Sequence, residues 1–112
     1  MNLIIEYSNK FLKEAKTLSK KFKLLKTDLQ QAIEEIEQNK DFGVFLGLNL
    51  FKKRIKNSSI PTGKSGGFRV IIYAQLEDKI ILISIYSKTE KETLSDEELR
   101  ELVEQHFTKD DF

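Results

Sequence analysis

Two short runs, Val70 to Ala74 and Ile80 to Ile85, carry apolar residues on both alternating faces. A strand of that kind has no face to give to water, so it belongs in the middle of a sheet. Only Glu77-Asp78 and its neighbours separate them, which makes the pair a β-hairpin. A third strand-like run precedes them, so strands are expected at about 50–57, 67–76 and 79–87. The β-branched stretch Asn2 to Tyr7 adds a fourth.

The other segments have helical periodicity. Phe11, Ala15, Leu18 and Phe22 recur at spacings of four, three and four, with Leu12 beside them, behind a capping hydroxyl at Ser8. Leu29, Ala32, Ile33 and Ile36 predict a second helix, with Thr27-Asp28 as its cap and Asn39 as the left-handed residue past its end. Two helices joined this closely form a hairpin that must lay its apolar stripe on the sheet. Asp41 to Asn49, with two glycines and few charges, reads as a packed loop. Ser95 followed by Glu98 is a capping-box signature. It opens a last helix through Leu99, Leu102, Val103 and Phe107, and Thr108 to Phe112 are expected to fray. The expectation is an α+β fold in a single domain, residues 1–112: an N-terminal strand and helical hairpin on a mainly antiparallel four-stranded sheet, with a C-terminal helix.

Several chemistries are excluded at once. The chain has no cysteine and one histidine, so a His/Cys metal cluster and a Cys/His dyad are both out of reach. His106, alone beside Phe107, reads as structural or solvent-facing. Gly63-Lys64-Ser65 resembles the end of a phosphate loop, but Ser58 stands where the first glycine is required and a strand follows in place of a helix. No apolar run approaches the roughly 20 residues of a membrane span, and no basic-then-apolar leader opens the chain. A cytoplasmic protein without metal or cofactor is expected.

Charge is distributed unevenly. Residues 1–75 hold 14 Lys/Arg against 7 Asp/Glu, and residues 76–112 hold 5 against 11. A basic body with an acidic final segment suggests a polyanion-binding face, or two solvated helical faces of opposite sign. The lysines at 10, 13, 16, 20, 21 and 23 read as a solvated helix face. The cations on strands are more specific. Alternation puts Lys52, Arg54 and Lys56 on one face of their strand and Phe51, Lys53 and Ile55 on the other. With Lys53 facing the core side, that strand is expected at a sheet edge. Arg69 shares a face with Ile71 and Tyr73, and Tyr86 and Lys88 close the last strand. Gly66 and Gly67 allow a tight turn and close approach. Such a groove suits phosphate; solvated cations at strand ends are the plain alternative.

The runs Phe51-Lys52-Lys53-Arg54-Ile55-Lys56, Gly63-Lys64-Ser65-Gly66-Gly67-Phe68-Arg69-Val70-Ile71-Ile72-Tyr73 and Ile83-Ser84-Ile85-Tyr86-Ser87-Lys88 together resemble the RelE/HigB branch of the RelE/ParE toxin superfamily. The resemblance covers nearly the whole chain. It implies the toxin of a type II toxin–antitoxin pair, a compact α+β fold, and metal-free, ribosome-dependent mRNA cleavage in which a ribose 2′-OH attacks the adjacent phosphate. The implied partners are a cognate antitoxin, the ribosome and mRNA. On this resemblance Lys52, Arg54, Arg69, Tyr86 and Lys88 are catalytic: Arg69 and Arg54 as phosphate clamp, Lys52 assisting the 2′-OH, Tyr86 or Lys88 as proton donor or positioning group. Lys56 and Lys64 would contact RNA. Two other functions fit the same fold, a ParE-like poison of DNA gyrase and a non-catalytic RNA- or protein-binding domain.

Overall fold

The computed structural model describes residues 3–61, 67–89 and 95–111, with the side chains of 75, 76 and 105–111 outside that description. The elements run β1 (Ile4–Tyr7), α1 (Asn9–Lys21), α2 (Leu25–Asn39), β2 (Val44–Gly47), β3 (Leu50–Ile55), β4 (Phe68–Leu76), β5 (Lys79–Ser87) and α3 (Asp96–Asp111). The strands form one sheet in the order β1-β5-β4-β3-β2. All neighbours are antiparallel except β1 and β5, which run parallel.

Both faces of the sheet are covered, as the two-sided apolar strands require. On one face Phe11, Leu18, Leu25, Ala32 and Ile36 of the helical hairpin pack on Ile55, Phe68, Val70, Ile72, Ile80, Leu82 and Ile85. On the other, Leu99 and Leu102 of α3 cover Leu50, Ile71, Tyr73, Ile81, Ile83 and Tyr86. Leu12, expected beside the first stripe, is largely exposed. Ser8 caps α1 by accepting from Phe11 N at 3.0 Å. In α3, Ser95 Oγ accepts from Glu98 N while Glu98 Oε1 accepts from Ser95 N, both at 3.2 Å, closing the capping box. α3 extends to Asp111.

The sheet has five strands, one more than expected, because Asp41–Asn49 is not a loop. β2 lies inside it and pairs with β3. Leu48 and Asn49 form the two-residue turn, both with positive φ (54° and 60°), the backbone a tight twisted hairpin needs. Phe51 holds β2 in place through ring contacts with Phe42 and Phe45 at 5.4 and 5.2 Å. β3 is therefore internal, and the expected edge position does not hold. Lys53 tolerates its burial by ion-pairing Glu35 at 3.2 Å and Asp41 at 3.4 Å.

Two helix ends also differ. α2 begins at Leu25, with Leu24 as a cap lacking a side-chain bond. Asp28 instead sits buried in the first turn, accepting from Ser58 N at 2.8 Å and Ser58 Oγ at 2.6 Å. Its carboxylate ties α2 to the connection after β3. The left-handed residue past α2 is Lys40, one beyond Asn39.

Candidate active site

The registers of the three central strands place Arg54 opposite Arg69 and Arg69 opposite Tyr86. With strands about 4.8 Å apart, the three side chains form a row of about 10 Å across the sheet. Lys52 lies two residues before Arg54 on the same face, opposite Ile71. Lys88 follows β5, and its N–H donates to Gly67 O at 3.0 Å, holding it next to the start of β4. Gly67 is needed here because a Cβ would overlap the Ile55 carbonyl oxygen. Lys56, just past β3, is exposed. Lys64 and most of the glycine turn lie outside the described residues, as does the His106 side chain.

The cations lie close enough to perturb one another. Burial lowers the pKa of Lys52, and Arg69, Arg54 and Lys88 lower it further. Burial also lowers the Arg69 guanidinium, Arg54 adds to this, and Tyr86 opposes it. The Tyr86 phenol is raised by burial, pulled back by Arg69 and raised again by Glu98 of α3. Cations pressed together in this way repel one another, and an anion placed among them relieves the repulsion. Arg69 is only 2% exposed and Tyr86 8%. Arg69 Nη1 donates to Phe68 O at 3.0 Å, while the buried Tyr86 hydroxyl has no hydrogen-bond partner among the described residues.

Tyr86 reaches this face through a feature that alternation does not predict. Ile71 pairs with Ser84 and Ile72 with Leu82, so Ile83 is an extra residue in β5. Before this bulge, Ile80 and Leu82 face the helical hairpin. After it Ile85 faces the hairpin, and Tyr86 joins Ile81 and Ile83 on the α3 side. Unbroken alternation would have left Tyr86 among the even-numbered residues on the hairpin side. The sequence signal available was Ser84, the one polar residue within the apolar run.

Comparison with known proteins bears on the family and the fold. Residues 8–109 match the family described as the RelE toxin of the RelE / RelB toxin-antitoxin system. The chain belongs to the RelE toxin family. It is a RelE-like toxin of a toxin–antitoxin system. Among solved structures, it is similar to a mutant of the E. coli toxin RelE in the free state, with a TM-score of 0.57, 16% identity, and coverage of 82% of this chain and 90% of that one. At that identity the likeness establishes the α+β fold. No curated protein matches the chain.

Proposed function

We propose that this toxin inhibits translation as an endoribonuclease that cuts mRNA on the ribosome and is held inactive by a cognate antitoxin. The carrying observation is the row Arg54–Arg69–Tyr86 with Lys52 beside it, on one face of three adjacent strands. In the proposed reaction the ribose 2′-oxygen forms a bond to the adjacent phosphorus and the bond to the 5′-oxygen breaks, leaving a 2′,3′-cyclic phosphate and a 5′-hydroxyl. Charge gathers on the non-bridging oxygens, where Arg69 and Arg54 clamp it in the planar fork that guanidinium offers. Lys52, with its lowered pKa, accepts the 2′-OH proton, and Tyr86, kept protonated by its raised pKa, gives one to the leaving oxygen. Lys88 and Lys56 position the backbone, and Lys64 is assigned to RNA contact.

Tyr86 packs with Leu99 and Leu102 of α3 and Arg69 is buried; in this reading phosphate reaches the row when the start of α3 lifts. Asp96, Glu97 and Glu98 in the first turn of α3 would be repelled by RNA in the same step. Induction in cells followed by mapping of mRNA 5′ ends tests the reading. Cuts within translated codons support it, and double-strand DNA breaks without such cuts would replace it with gyrase poisoning.

A further inference from the structure

We infer that Glu14 is a positioning residue for this site: its carboxylate locks the β5 bulge that turns Tyr86 toward Arg69. Three bonds from the start of α1 hold the bulge. Ser8 Oγ donates to Ile83 O at 2.7 Å, and Glu14 Oε1 accepts from Ser84 Oγ at 2.8 Å and from Ile85 N at 3.2 Å. Lys10 Nζ, 3.0 Å from Glu14 Oε2, fixes the carboxylate from the other side. Ile83 O and Ile85 N, next to the bulge on the side of β5 away from β4, are thus satisfied by the cap residue of α1 and a glutamate six residues later.

The clamp sits where the sheet needs it. β1 pairs with β5 only over Lys79–Leu82, so the last five residues of β5 have a strand neighbour on one side alone. A cleft of about 270 Å³ opens there between α1 and β5, and Glu14 and Tyr86 both line it. Without the carboxylate, Ile85 N–H faces this cleft unpaired. The strand end then relaxes by expelling its extra residue, and each residue past the bulge turns to the opposite face. Tyr86 would leave the Arg69 row for the cleft. The bonds that stabilise the strand therefore also decide which face carries the phenol.

The catalytic consequence rests on the ribonuclease reading, whereas the positioning is read independently of it. The experiment titrates ring-carbon-labelled tyrosine by NMR in the full chain, with Tyr86 assigned by Tyr86→Phe, for wild type, Glu14→Ala and Glu14→Gln. The glutamine keeps the accepting oxygen and gives up the Lys10 ion pair. We expect the Tyr86 phenol to titrate above the ordinary tyrosine value in wild type and Glu14→Gln, and to fall toward that value in Glu14→Ala. On programmed ribosomes Glu14→Ala should lose about 10²-fold in kcat with KM unchanged, and Glu14→Gln should recover most of it. A folded Glu14→Ala protein with an unmoved Tyr86 titration overturns the inference, as does a glutamine variant that behaves like alanine. Should Glu14→Ala not fold, Ser84→Ala is read in the same way. Absent cleavage by wild type would overturn the ribonuclease reading alone and leave the tyrosine titration to decide the positioning.

Discussion

Replacing Gly67 by alanine tests how tightly the fold and the candidate site are joined. A methyl carbon there would overlap the Ile55 carbonyl oxygen and sit 3.0 Å from its carbonyl carbon and 3.1 Å from Asn57 N. All three atoms are backbone, so no side chain can swing aside. Restoring ordinary contact takes on the order of 1 Å of movement between β3 and β4. That movement falls one pair from the Arg54–Arg69 register. Overpacking of this kind costs about 1–3 kcal/mol, which for a chain of this length lowers Tm by about 4–12 °C. The displacement of the arginine row should cost about 10²-fold in cleavage, more than the lost stability accounts for at 25 °C. Thermal unfolding by circular dichroism and single-turnover cleavage on programmed ribosomes measure the two effects. A variant that melts within about 1 °C of wild type and cleaves at its rate would refute the claim that Gly67 sets the spacing of the row.

Asp28→Ala removes two hydrogen bonds to a buried carboxylate and should cost about 3 kcal/mol in urea unfolding, with Asp28→Asn near half of that; equal stability of all three would contradict the anchor role. Lys53→Met should lie within about 1 kcal/mol of wild type, because Glu35 and Asp41 are 48% and 61% exposed and can rehydrate. Cleavage by that variant should be unchanged, since Lys53 faces the helical hairpin; a loss of rate would mean that Lys53 reaches the site. The pH profile should rise as Lys52 sheds its proton, below the ordinary lysine range, and fall only as Tyr86 ionises, above the ordinary tyrosine range. Lys52→Ala should remove the rising limb, and a persisting limb would assign the base elsewhere.

Much of this architecture was legible because it is local. Ser8 and Ser95 announce their helices by capping, Glu77-Asp78 marks its hairpin, and the two-sided apolar strands specify a covered sheet. Strict alternation also put Lys52 and Arg54 on one face and Arg69 with Ile71 on one face. The rest depends on partners distant in sequence. β2 is short, glycine-bearing and leaves Val44 and Phe45 exposed, and its turn lacks the Asn-Gly pair that usually signals such geometry. Asp28 has the chemistry of a cap, yet its partner Ser58 lies 30 residues away. Lys53 seemed to demand a sheet edge because Glu35 and Asp41 could not be seen to meet it. The face on which Tyr86 stands was the least legible element, since one extra residue at Ile83, held by Glu14 from 70 residues away, reverses the pattern.

The central claim is that the arginine row serves phosphoryl chemistry on mRNA, and Arg69 tests it most directly. Purified wild type and Arg69→Ala should be compared on ribosomes carrying a defined message, with the product ends analysed chemically. We expect wild type to leave a 2′,3′-cyclic phosphate and a 5′-hydroxyl within the codon being read, and Arg69→Ala to lose about 10²–10³-fold in rate while still unfolding cooperatively. An Arg69→Ala protein that cleaves at the wild-type rate would contradict the account.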